Sequence, residues 1–140
     1  MDNNIEIRTY RESDREEVIR IWEVVFPGGA AWNKSQEVIS TKLSTQPELF
    51  FVAVQEELVV GTILAGFDGV RGWVHRLAVC PNQRRRGLAS LLMQKAESSL
   101  KDIGCPKLNL QVRVSNLEVL KFYESLGYTV EERASLGKAL

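Results

Sequence analysis

The sequence predicts an α/β chain of the α+β kind, a single domain whose mixed central sheet of six to seven strands is flanked by about four helices. Three observations lead there. Stretches with a two-residue apolar period or a β-rich composition recur along the chain, and between them lie segments whose apolar residues repeat every three or four positions. The first half joins its strands by tight turns, whereas the second half separates them by helices, which mixes antiparallel and parallel pairing in one sheet. At 140 residues, 44% of them hydrophobic, the chain can fill one ordinary core and not two. The expected domain therefore spans residues 1–140.

The run Ile5-Glu6-Ile7-Arg8-Thr9-Tyr10 alternates apolar and polar residues, the pattern of a half-buried strand. Ser13-Asp14-Arg15-Glu16 offers a capping box, and Val18, Ile21, Trp22, Val25 and Phe26 then mark one helical face that Pro27-Gly28-Gly29 ends. A short second helix after Asn33 or Ser35 fits Val38, Ile39 and Leu43. Residues 49–54, 58–67 and 73–79 read as three strands in hairpin connection, with Asp68-Gly69 starting the second turn. Leu88, Leu91, Leu92, Ala96, Leu100 and Ile103 form the apolar face of a long helix stopped by Gly104 and Pro106. Alternation returns over 107–114. Asn116 caps a last helix bearing Val119, Phe122, Tyr123 and Leu126, Gly127 ends it, and residues 128–132 close with a strand.

Eighteen basic residues balance eighteen acidic ones, so no global charge favours nucleic acid or an anionic membrane surface. No stretch approaches the ~20 apolar residues of a membrane span, and no apolar run near the N-terminus resembles a signal peptide. Together with two cysteines, Cys80 and Cys105, outside any C-x-x-C spacing, this predicts a cytoplasmic protein without disulfide or zinc framework. One histidine and no carboxylate cluster give no metal site. A Cys80–His75 hydrolytic dyad is disfavoured, because two strand residues five apart point to opposite faces.

The chemistry concentrates in Leu77-Ala78-Val79-Cys80-Pro81-Asn82-Gln83-Arg84-Arg85-Arg86-Gly87-Leu88-Ala89, where an apolar strand passes through a basic, glycine-containing loop into a helix. A helix start presents unpaired N–H groups and about half a positive charge, the elements of a phosphate seat. Gly87 and Ala89 allow close backbone approach, and three arginines add mobile charge.

Arg84-x-x-Gly87-x-Ala89, after Leu-Ala-Val, resembles the pyrophosphate signature of the GNAT superfamily of N-acetyltransferases. Asn116 followed by Tyr123 is similar to that family's next motif, and Gly66-Phe-Asp-Gly-Val-Arg-Gly72 with Gly104-Cys-Pro-Lys107 resembles its YpeA-like bacterial branch. Leu110-Gln-Val-Arg-Val-Ser-Asn116 also looks like the branch that acetylates ribosomal-protein N-termini, except that Gln111 stands where that branch has a glutamate base.

The resemblance implies transfer of an acetyl group from acetyl-CoA, as cosubstrate, to an amine by direct attack. Leu77, Ala78 and Val79 would hold the pantetheine arm, the amides of Arg85, Arg86, Gly87, Leu88, Ala89 and Ser90 the diphosphate beside Arg84, and Asn116 the cofactor arm. Tyr123 would be the general acid. A free phenol is ~1.5 units less acidic than a thiol, so full transfer to the leaving thiolate is uphill by about 2 kcal/mol and hydrogen-bond stabilisation is the expected contribution. His75 is the candidate base, on the same side of its strand as Trp73 and Leu77; the alternative is an amine that arrives neutral. An α-amine, at pKa ~7.8, does so far more readily than a lysine. Trp32, Phe67, Asp68 and Trp73 are candidates to line the acceptor site. The resemblance is compatible with a homodimer, and the rival reading is a catalytically weak module that binds CoA or acyl-CoA.

Overall fold

A computed structural model describes residues 4–29, 31–84 and 86–140. Its elements, in order, are β1 (Ile5–Thr9), α1 (Arg15–Val25), α2 (Ser35–Leu43), β2 (Phe50–Gln55), β3 (Leu58–Phe67), β4 (Gly72–Val79), α3 (Leu88–Asp102), β5 (Leu108–Asn109) and α4 (Leu117–Ser125). The chain divides into two compact units that meet after Leu110. All five strands belong to the first unit, in the order β1-β2-β3-β4-β5. The first four pair antiparallel and β5 joins β4 in parallel. The mixed α/β architecture with four α-helices is as expected, but the sheet of the described residues has five strands, not six to seven. Of the strand expected over 107–114 only Leu108 and Asn109 pair, and residues 128–132 form none.

Helices α1 and α3 lie on opposite faces of the sheet. Val18, Ile21 and Trp22 of α1, with Ile39 of α2, pack against Phe50, Val52, Leu64 and Ala78. Phe50 stacks between Tyr10 and Trp22, with ring centroids 4.3 and 6.1 Å away. On the other face, Leu88, Leu92, Met93, Ala96 and Leu100 are buried, while Leu91 and Ile103, expected in this stripe, are 40% and 48% exposed. Gly61 lets α3 approach: a Cβ there would lie 3.0 Å from Leu92 Cδ1 and 3.1 Å from the Ala78 carbonyl oxygen.

The capping box expected from Ser13 and Glu16 is replaced by a different device. A 3₁₀ turn, Glu12–Asp14, precedes α1, and the buried Asp14 carboxylate accepts the Arg11 amide at 2.8 Å and both Arg8 guanidinium nitrogens at 2.8 and 3.0 Å. Burial pushes the Asp14 pKa up, but the hydrogen bonds from Arg8 and Arg11 outweigh it and the net shift is down.

Strand β4 carries an extra residue. Thr62 faces Ala78 and Leu64 faces His75, so two steps along β3 match three along β4. Arg76 occupies the bulge with φ +56°, and its carbonyl accepts the Thr62 hydroxyl at 2.9 Å, while that hydroxyl accepts the Trp22 indole N–H at 2.8 Å. This buried chain of hydrogen bonds ties α1, β3 and the bulge together.

Candidate active site

Strand β4 has a parallel partner only at its start, where Gly72 faces Leu108 and Trp73 faces Asn109. Beyond them no strand of the described residues pairs with β4 on this side, so residues 74–79 present an open edge toward the following loop. The chain then makes the 3₁₀ turn Pro81–Gln83 and enters α3 at Gly87. Gly87 has φ +78°, a conformation that costs an L side chain about 1–2 kcal/mol, which is why a glycine stands there. No side chain caps α3, so its first-turn N–H groups retain their capacity for an anion.

The expected diphosphate residues fall out differently. Leu88 is buried, Ala89 and Ser90 are half-buried, Arg86 is exposed, and Arg85 lies outside the described residues. Arg84 turns back, its Nε donating to the Val79 carbonyl at 3.3 Å, so it braces the strand end more than it reaches outward. The backbone at Gly87 and an open strand edge leading to it are the parts that fit an extended, diphosphate-bearing ligand.

The bulge corrects the expected grouping on β4. Trp73 pairs with Gly66, His75 with Leu64 and Ala78 with Thr62, and Leu64 and Ala78 belong to the α1-side core. Trp73 and His75 therefore share a face with Ala78, and Leu77 does not join them, because the inserted Arg76 shifts the alternation by one. The same shift removes the argument that parted Cys80 from His75. Cys80, however, packs against the α1-side core, and burial pushes its thiol pKa up, the opposite of an activated nucleophile. His75 has its edge at the surface but its pKa is lowered, first by burial and then by the charges of Lys42 and Arg76.

Around it stand three side chains that sequence reasoning missed. Lys42 of α2 donates to the Ala65 carbonyl at 2.5 Å. Gln46 brackets Phe67, accepting its N–H at 2.8 Å and donating to its carbonyl at 3.1 Å. β2 reaches only as far as Leu64, so these two side chains serve the part of β3 that has outrun its neighbour. Arg76 places its guanidinium carbon 4.7 Å from the Trp22 ring centroid and 5.4 Å from that of Phe26, and Nη2 donates to the Asn33 carbonyl at 2.9 Å. Residues 73–79 read as one regular strand, so no spacing signalled Arg76, and the reach of Lys42 and Gln46 left no signal either.

Of the expected acceptor-lining residues, Phe67, Asp68 and Trp73 gather at the β3–β4 hairpin. Asp68 Oδ1 accepts the amides of Val70 and Arg71 at 2.8 and 2.9 Å, and these bonds lower its pKa, with a smaller contribution from the Trp73 side chain. Asp68 thus shapes the turn. Trp32, 71% exposed, sits on the turn Ala31–Asn33 beside the carbonyl that Arg76 holds.

In the second unit, Asn116 caps α4, its side chain accepting the Val119 amide at 3.3 Å. Tyr123 is buried and meets Phe122 and Tyr128 edge-on at 5.1 and 5.8 Å. Burial pushes its phenol up to about 12, so it stays protonated, a donor, throughout the neutral range. Gln111 donates its amide to the Ser135 hydroxyl. Among the described residues no three His, Cys, Asp or Glu side chains gather as metal ligands, and no helix is long and apolar enough to cross a membrane.

The acetyltransferase (GNAT) family model matches residues 9–128. An acetyltransferase of Yersinia enterocolitica is 42% identical over 139 residues, covering 97% of this chain and 96% of that one, and an acetyltransferase of Sodalis glossinidius is 42% identical over 140 residues with the same coverage. Among solved structures, Ard1 from Thermoplasma volcanium superposes with a TM-score of 0.83 at 26% identity, covering 91% of this chain and 84% of that one. An aminoglycoside N-acetyltransferase in complex with CoA shares the fold, with a TM-score of 0.80 at 17% identity over 99% and 97% of the two chains. An uncapped α3 at a left-handed Gly87, an open β4 edge and this agreement along nearly the whole chain lead to one conclusion: the protein belongs to the acetyltransferase (GNAT) family and is an acetyltransferase.

Proposed function

We propose that residues 1–140 work as one N-acetyltransferase domain that moves the acetyl group of acetyl-CoA to an amine by direct attack, on the YpeA-like, ribosomal-protein-acetyltransferase-like side of the family. The single observation that carries this reading is the open edge of β4 running toward an uncapped helix start at Gly87. In this reading the backbone of Leu77, Ala78 and Val79 lines the pantetheine arm, and the amides of residues 85–90 hold the diphosphate, with Arg84, Arg85 and Arg86 as flanking charge. The acetyl thioester is what acetyl-CoA supplies. An N–H of β4 stabilises the charge that grows on the carbonyl oxygen.

Tyr123 is the general acid. A phenol held near 12 is ~3.5 units above a free thiol, so it serves first as a hydrogen-bond donor to the leaving sulfur and yields its proton late. Asn116 orders the start of α4 and contacts the cofactor arm. The amine enters neutral or gives its proton to His75, whose lowered pKa keeps the imidazole unprotonated down to a pH below its ordinary range. Trp32, Phe67, Asp68 and Trp73 border the acceptor.

The test is a mass-spectrometric screen for acetylated products among small amines, peptide N-termini and polyamines incubated with protein and acetyl-CoA, with thioester consumption followed in parallel. Amine-dependent consumption and an acetylated product are expected. Tight CoA binding without turnover on any amine would leave a CoA-binding module in place of an enzyme acting on amines.

A further inference from the structure

The face of β3 and β4 covered by α1 and α2 gathers three basic side chains without a carboxylate ion-pair partner among the described residues: Lys42, His75 and Arg76. Lys42 is half-buried and spends one N–H on the Ala65 carbonyl. Arg76, also half-buried, makes a single side-chain hydrogen bond among the described residues, to Asn33, which leaves most of its five donors uncommitted. His75 stands next to Arg76, paired with Leu64, the neighbour of Ala65. The ion pairs Arg8–Asp14 and Arg15–Glu12 involve none of the three. Glu48 is the carboxylate whose field bears on Lys42, and it makes no ion pair with it.

Removing two cations partly from water without an ion-pair partner is costly, and at Arg76 the fold does it against aromatic surface. Trp22 and the 38% exposed Phe26 flank the Arg76 guanidinium, and Trp32 stands beyond Asn33. Lys42 and Gln46 close on the strand at Gly66, the partner of Trp73, where a Cβ would come 3.7 Å from Lys42 Nζ and 3.4 Å from Gln46 Oε1. Burial lowers the pKa values of Lys42, His75 and Arg76; at His75 the charges of Lys42 and Arg76 add to it, while at Lys42 the charge of Glu48 opposes it.

We infer that Arg76 and Lys42, beside His75, recognise a carboxylate on the acceptor, so that the favoured acceptor is an amine carrying a carboxylate close to its reacting nitrogen, as a free amino acid does. This rests on the reading of the chain as an enzyme that acetylates amines. A guanidinium with uncommitted donors in a plane matches the two oxygens of a carboxylate, and Lys42 adds a point charge on the same face. An amine held by its carboxylate here is presented to β4 from the side that Trp73 and His75 line.

The experiment compares kcat/KM for a set of α-amino acids with that for the corresponding amino-acid amides, in wild type, Arg76→Gln, Arg76→Lys and Lys42→Met. Binding of an N-acetylated amino acid and of its amide to the CoA-loaded protein is measured by calorimetry alongside. The acids are expected to exceed the amides about tenfold or more, the effect of one charge-assisted hydrogen bond. The ratio should fall to within about threefold in Arg76→Gln and Lys42→Met and recover in part in Arg76→Lys. Because Arg76 also holds the Asn33 carbonyl, an unfolded Arg76→Gln would leave Lys42→Met to decide. A ratio near one in wild type, or one that neither variant moves, overturns the inference. If neither class is acetylated but the N-acetylated amino acid binds in an Arg76- and Lys42-dependent way, the carboxylate site stands and the acetylation of amines falls. No transfer and no such binding overturn both.

Discussion

Replacing Gly87 separates backbone strain from charge at the proposed diphosphate seat. An alanine there meets no heavy atom within 4 Å, so its whole cost is the left-handed φ of +78°, about 1–2 kcal/mol. CoA affinity should therefore drop by about five- to thirtyfold if the loop relaxes on strain, and less if it does not. A glutamate has the same strain and adds a negative charge. At about 6 Å from a doubly charged diphosphate, with an effective dielectric between about 40 and 80, that repulsion is about 1.5–3 kcal/mol, a further ten- to hundredfold. Calorimetric titration of CoA into wild type, Gly87→Ala and Gly87→Glu at low and high salt reads both contributions. The glutamate penalty should shrink in high salt and be absent for pantetheine, which lacks the diphosphate. A folded Gly87→Glu protein that binds CoA within threefold of Gly87→Ala at low salt would refute the placement of the diphosphate on the start of α3.

Tyr123→Phe should leave CoA affinity nearly intact and lower kcat by about 10- to 150-fold, the range of a hydrogen bond to a charged partner; equal turnover would make the phenol a packing group. The phenols of Tyr10 and Tyr123 both lie near 12, chiefly through burial, so the folded state holds protons that the unfolded state has released between pH 10 and 12. Stability is then full below pH 10 and falls through that window, and Tyr123→Phe should remove about half of the fall in a urea titration series. For His75, the ascending limb of the rate profile should follow the acceptor's own pKa across two amines and be indifferent to His75→Gln. A limb that stays below pH 6.5 in wild type and disappears in the variant would give the base role to His75. Asp14→Ala strands the largely buried Arg8, whose side chain is 16% exposed, and should cost about 3 kcal/mol in denaturant unfolding. Loss of under 0.5 kcal/mol would mean that water replaces the carboxylate.

Periodicity located β1 and the four helices because each buries one side against something else, and β-rich composition between turn residues located β2 and β3, which are buried on both sides, and β4. It overcounted the strands because alternation shows which residues would share a side and not whether a partner strand exists. Leu108, Leu110, Val112 and Val114 alternate, yet pairing stops at Asn109 and Val114 is 89% exposed. Gly87 was legible because a left-handed helix start admits few residues other than glycine. The bulge was not: Trp73, His75 and Leu77 alternate as in a regular strand, and the slip comes from Thr62, whose hydroxyl holds the Arg76 carbonyl across the sheet. Lys42 and Gln46 meet β3 more than 20 positions along the chain, a distance at which sequence spacing carries no information.

The extra residue in β4 also sets which changes of length this strand absorbs. Residues 72–75 and 78–79 are in phase with their surroundings only because Arg76 absorbs one position between them. Deleting Arg76 would regularise the strand and leave Ala78 on the Trp22 side and Val79 on the α3 side, because the bulge already holds Arg76 outside the alternation. A codon lost here would act through the missing guanidinium beside Trp22 and the displaced carbonyl partner of the Thr62 hydroxyl, whereas one lost at Val74 would slip its neighbours to the opposite faces of the sheet. By contrast, a codon added or lost in the exposed Asp68–Gly69–Val70 turn shifts no buried side chain. Length variation among natural or engineered versions of this chain should collect at the hairpin tip and, within the strand, at the bulge alone.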